Sequence, residues 1–154
     1  MVYEFRLPDI GEGVAEGEYL IPLGEAKVVR EGRQVTVIAW SAMVTTALEA
    51  ATKGAGQGYD LEVIDLRTLV PFDEATILAS VKKTGRVVIV HEAPRTSGFG
   101  AEIAATIAEK AILHLDAPIV RVTGLDTPFP YTLEREYLPD ADRVLDAVER
   151  VVNF

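Results

Sequence analysis

Arg86–Glu102, RVVIVHEAPRTSGFGAE, decides how this chain is read. Val87 to Val90 form a short β-branched run, the pattern of a strand buried on both faces. The run stops at a polar loop holding Pro94, Gly98 and Gly100, and an Ala- and Ile-rich segment follows. Buried strand, loop and helix in that order form the unit that places functional groups at the carboxyl edge of open α/β sheets.

The same alternation extends upstream. Asp73 is positioned to cap a helix with Ile77, Leu78 and Val81 facing inward, Lys82 and Lys83 at its carboxyl end and Gly85 closing it. Leu61–Leu66 reads as a strand. Before it, Met43, Val44, Ala47, Leu48 and Ala51 share one helix face, with Ser41 or Thr45 as the cap and Gly54–Gly58 as the stop. Glu25–Val29 and Val35–Trp40 flank the turn-like Arg30-Glu31-Gly32-Arg33, which predicts an antiparallel pair.

Downstream, a helix from Gly100 to about Leu115 carries Ile103, Ala104, Ile107, Ala108, Ala111, Ile112 and Leu115. So wide an apolar arc predicts packing on two sides or at a subunit interface. Ile119–Val122 is the last strand, Asp126–Tyr131 a rigid aromatic turn, and Asp140 opens a final helix with Val144, Leu145, Val148, Val151 and Val152 on one face. The whole predicts a three-layer α/β domain with at least three parallel strands.

Residues 1–17 differ in texture. Tyr3–Leu7 alternates like one short strand and Pro8 ends it, after which GEGVAEG reads as a surface loop. With Asp9, Glu12 and Glu16 this stretch carries three carboxylates, which repel phosphate, so the glycines do not signal a phosphate site.

Composition narrows the function classes. A formal net charge of -9 argues against a nucleic-acid partner and suits a basic protein surface. With no cysteine there is no thiol nucleophile or disulfide framework, and two histidines leave little for a metal site. The sequence shows no membrane span or signal peptide, so a cytoplasmic location is expected.

Candidate chemistry centres on the opening stretch. His91 and Glu92 stand at a strand's carboxyl end and could exchange protons, but adjacent strand residues point to opposite faces. Ser97-Gly98-Phe99-Gly100 precedes a helix and, with Arg95, could receive an anion. The glycines are equally explained by a tight strand-to-helix connection. Ser41, Ser80 and Ser97 lie in no G-x-S-x-G context, which disfavours a serine hydrolase. Asp140, Asp142, Asp146 and Glu149 fall at solvated-face spacing, and His114 suits a helix carboxyl end.

From about Glu16 to Phe154, the motifs EGEYLIPLGEAKVVREG, VTVIAWSAMV, VIDLRTLVPFD, SVKKTGRVVIVHEAPR, GFGAEIA, APIVRVTG, DTPFPY and YLPD resemble one family in order. It is the C-terminal part of the E1 beta subunit of thiamin-diphosphate-dependent 2-oxo acid dehydrogenase complexes, pyruvate or branched-chain type. The resemblance implies a transketolase C-terminal-domain fold: α/β/α layers on a five-stranded mixed sheet with one antiparallel strand. MVYEFRLPDIGEGVAEGE resembles the start of an E2 lipoyl domain, though no lysine follows an aspartate as the lipoyl site requires. The chain is therefore divided into a lipoyl-domain-like N-terminal segment, 1–17, expected as one strand plus loop, and an E1 beta C-terminal domain, 18–154. A chimera, engineered or fused at Glu16-Gly17-Glu18, is the expected origin.

The resemblance also implies that thiamin diphosphate belongs to the parent complex, between E1 alpha and a half of beta outside this sequence. No catalytic, cofactor or metal residue is then expected here. What it implies for this domain is assembly: homo-oligomeric contact and docking of the basic E2 subunit-binding domain, by position through Asp116 and the carboxylate of Phe154. Two other readings stand beside it. One is a stand-alone small-ligand or anion-binding enzyme using His91, Glu92, Arg95 and Ser97, and the other a scaffold without present activity.

Overall fold

The computed structural model describes residues 22–154. The lipoyl-like segment and the proposed junction at Glu16–Glu18 lie outside the described residues. Five strands, β1 (Lys27–Arg30), β2 (Val35–Ala39), β3 (Leu61–Asp65), β4 (Val87–Pro94) and β5 (Val120–Gly124), form one sheet in the order β1-β3-β2-β4-β5. The last four are mutually parallel, and β1 runs antiparallel on the edge.

Connecting β2 to β3 is α1 (Met43–Ala55), β3 to β4 is α2 (Glu74–Thr84), and β4 to β5 is α3 (Gly100–Ala111) with a 3₁₀ turn at Ile112–His114. A short α4 (Glu134–Tyr137) and α5 (Ala141–Val152) complete the chain. Alternating side chains on the buried strands feed two cores. Val37, Val63, Val88 and Val90 pack with Ala47, Val144 and Val148 of α1 and α5. Ile38, Ile64, Val87 and Ile89 pack with Ile77, Val81, Ile103 and Ile107 of α2 and α3. Strands covered on both faces must be apolar throughout, which is why Val87–Val90 reads as a continuous run.

The expected hairpin is corrected. β1 is antiparallel as expected, but it pairs with β3, while β2 pairs in parallel with β3 on the other side and with β4. The connection between them therefore crosses the start of β3. Gly32 makes that possible: a Cβ there would come 2.6 Å from the Leu61 carbonyl oxygen, with the Glu62 amide nearer still. Local turn chemistry cannot tell a hairpin from a crossover when both flanking strands suit a sheet.

Two of the expected caps form as read. Asp73 Oδ1 accepts from the Thr76 amide at 3.0 Å, and Asp140 Oδ1 accepts from the Arg143 amide at 2.8 Å. Gly85 takes a left-handed φ of 66° and closes α2. Neither Ser41 nor Thr45 caps α1, which starts after Ala42 without a side-chain cap. α3 buries one side only, through Ile103, Ile107 and Ala111, and leaves Ile112 and Leu113 exposed on the turn that follows. Among the described residues, no helix is long and apolar enough to cross a membrane.

Candidate functional site

The carboxyl edge of β4 places His91 where an α/β fold offers chemistry, but the imidazole is inside the protein. His91 shares the face of Val87 and Ile89, is fully buried, and stacks on Trp40 with ring centroids 5.2 Å apart. Phe99 meets the same Trp40 edge-on at 6.1 Å. Behind the ring the chain must be glycine, because a Cβ on Gly100 would lie 2.6 Å from His91 Nε2 and one on Gly98 2.6 Å from Cε1. Among the described residues, neither ring nitrogen has a hydrogen-bond partner. Burial pushes the imidazole below its usual value, the Ala93 backbone acts the other way, and the Arg121 charge adds to the lowering. His91 is therefore a neutral, enclosed ring.

The other loop residues diverge from it. Glu92 is half-buried and, by strand alternation, faces away from His91. Arg95 Nη1 donates to the Arg121 carbonyl at 3.1 Å, and Arg121 Nη1 donates back to the Arg95 carbonyl at 3.1 Å. Ser97 is exposed with a φ of 60°. Asp126 pins the loop by accepting from the Thr96 amide at 2.9 Å and from its hydroxyl at 2.7 Å. At the α3 start, the Ala101 and Glu102 amides already donate to the Gly98 and Phe99 carbonyls, and Glu102 places a carboxylate in the first turn. An open cleft of about 720 Å³ beside this turn is lined mainly by Leu69, Val70, Pro71, Phe72 and Phe99. The structure thus brings Arg95 and Ser97 to the surface and separates them from His91.

At the opposite end of β4, Arg86 links Asp116 to the end of α5, the helix that precedes Phe154. Arg86 Nε donates to the Val151 carbonyl of α5 at 3.0 Å, and its Nη1 lies 3.5 Å from Asp116 Oδ2. Asp116 is also held by its amide, which donates to the Gly85 carbonyl at 2.7 Å. Its side chain keeps 61% exposure, and Phe154, three residues past Val151, keeps 80%. Beside Asp116, Leu113 is 95% exposed.

Residues 24–144 of this sheet-and-helix unit match the family model described as "Transketolase, C-terminal domain". The chain belongs to that family. As a transketolase C-terminal domain it is 50% identical over 143 residues to the Arabidopsis thaliana 2-oxoisovalerate dehydrogenase subunit beta 2, mitochondrial, covering 93% of this chain and 40% of that one. It is 51% identical over 135 residues to the pyruvate dehydrogenase E1 component subunit beta of Leifsonia xyli, covering 87% and 40%. A solved structure titled "Split gene transketolase, inactive beta4 tetramer" superposes with a TM-score of 0.79 at 29% identity, covering 92% of this chain and 45% of that one. The chain thus spans about 40% of the length of these curated relatives.

Thiamin diphosphate, which the E1 resemblance implies for the parent complex, needs donors for a diphosphate and its divalent cation. Among the described residues no three His, Cys, Asp or Glu side chains converge as cation ligands. The α3 terminus, with its amides occupied and Glu102 beside them, is equally unsuited to a diphosphate. Arg86, Trp40, Arg121 and Asp126 also shape these sites without a local sequence signal. Each works through a contact at least 26 residues away, as in Arg95–Arg121, and no local pattern reports such a contact.

Proposed function

We propose that this domain serves assembly and docking in the E1 beta component of a 2-oxo acid dehydrogenase, and that it is not catalytic alone. The parent reaction is oxidative decarboxylation of a 2-oxo acid with acyl transfer to lipoamide. The partners are a second copy of this domain, E1 alpha, and the basic subunit-binding domain of E2. The observation that carries the reading is that Asp116 and the end of α5 leading to Phe154 are both fastened to Arg86. That arrangement leaves the Asp116 carboxylate exposed beside the end of α5, which suits a basic partner. The exposed Ile112 and Leu113 beside them add the apolar surface from which interface cores are made.

Calorimetric titration of the chain with a purified, positively charged E2 subunit-binding domain tests this. Saturable binding that weakens with salt, and weakens again in Asp116→Ala and on removal of Phe154, is expected. Absence of binding at protein concentrations that give a defined oligomer mass would overturn the docking role.

A further inference from the structure

We infer that Arg86 is a positioning residue for docking, holding Asp116 and the carboxyl-terminal turn of α5 as one rigid acceptor for a basic partner. The inference rests on the docking reading above and names the residue that organises it.

The last carbonyls of a helix have no partner inside the helix and carry the negative end of its dipole. Val151 holds one of these, and Arg86 Nε, just before β4, reaches it at 3.0 Å. A cation from another element thus caps α5 two residues before its chain continues to Asn153 and Phe154. The same guanidinium puts Nη1 3.5 Å from Asp116 Oδ2 as an ion pair. The Asp116 backbone is fixed by the hydrogen bond from its amide to the Gly85 carbonyl, and its carboxylate lies against Gly85, where a Cβ would come 2.7 Å from Cγ. Arg86 itself is set by the ladder, since its carbonyl accepts from the Thr36 amide at 2.8 Å and from the Thr84 hydroxyl at 3.2 Å. Pre-ordering the groups before the partner arrives reduces the entropy lost on binding.

The geometry requires two nitrogens on one planar group, because Nε and Nη1 serve different acceptors. Lysine offers one ammonium and cannot span both. The test is a double-mutant cycle on the dissociation constant for the E2 subunit-binding domain, using wild type, Arg86→Ala, Asp116→Ala and the double variant. Arg86→Lys runs alongside as a charge-preserving variant, with thermal melting confirming that each chain is folded. Arg86→Ala is expected to weaken binding at least about tenfold, Arg86→Lys nearly as much, and Arg86→Ala much less in the Asp116→Ala background. Full binding by Arg86→Lys, or strict additivity in the cycle, would overturn the positioning role while leaving docking intact. A wild-type chain that does not bind would overturn the docking reading and this inference with it.

Discussion

His91 lies flat against Trp40, their planes 18° apart, in a pocket closed by the bare backbone of Gly98 and Gly100. This contact joins the ends of two neighbouring parallel strands, since His91 is on β4 and Trp40 follows β2. It converts a sequence signal for proton transfer into a packing element with a titratable ring.

That ring gives the fold an acid sensitivity. Burial holds the native-state value of His91 below the ordinary one, so the unfolded chain takes the proton first as pH falls. His91 therefore stabilises fully above the unfolded value, about 6.5, and its contribution falls as pH drops from there toward the native value. The melting temperature of the wild type should fall more between pH 7.5 and 5.5 than that of His91→Phe. Parallel curves for the two chains would remove His91 as the source.

Gly100 should tolerate no side chain while His91 is present. An added methyl would lie 2.6 Å from Nε2 and 2.7 Å from Cδ2 of a ring that is itself backed by Trp40. Overpacking of this kind costs about 1–3 kcal/mol. Gly100→Ala should lower the urea midpoint accordingly, and the loss should shrink in a His91→Ala background because the clashing atoms are gone. Equal losses in both backgrounds would locate the cost in the helix start instead.

Glu62 is fully buried at the start of β3 and depends on one cation. Its Oε2 pairs with Lys83, which also reaches Glu31 Oε2 at 3.2 Å, while Oε1 has no partner among the described residues. Lys83→Met should destabilise by about 3–5 kcal/mol, because a carboxylate is left buried and alone. Lys83→Met with Glu62→Leu should recover most of that loss. Denaturant unfolding of the three chains checks the order, and a double variant no more stable than Lys83→Met would contradict it.

Asp73 holds two elements together. It caps α2 through the Thr76 amide, accepts from the Thr76 hydroxyl at 2.6 Å, and accepts from the Ala26 amide just before β1 at 3.0 Å. Burial alone would raise its carboxyl, but the donors at Thr76, Ala26 and Ala75 outweigh it and lower the value. The resulting stability is full above the unfolded value, about 3.8, and is lost as pH falls through the native one. Asp73→Ala should cost about 1–2 kcal/mol at neutral pH, with the difference from wild type narrowing in acid. A pH-independent difference measured by thermal melting would exclude the charge.

Much of the fold was legible because local chemistry specifies it. Val87–Val90 announced a strand buried on both faces, Asp73 and Asp140 announced helix starts, and Gly85 a helix end, each from interactions within a few residues. Family motifs supplied the mixed sheet with one antiparallel strand. The partner of that strand was not legible: Arg30-Glu31-Gly32-Arg33 fits a turn, and only the approach of Gly32 to Leu61 and Glu62 makes it a crossover.

The opposite ends of β4 divide what sequence determined from what tertiary structure decided. Residue types and spacing determined that a strand, a loop and a helix lie at Arg86–Glu102, since hydrophobic periodicity and glycine act on neighbours along the chain. Whether His91 met solvent depended on Trp40, just past the end of β2, closing over it. Whether Asp116 and the end of α5 formed one surface depended on Arg86 reaching Val151, 65 residues away. Burial and charge pairing act through space, and only the folded chain sets those distances.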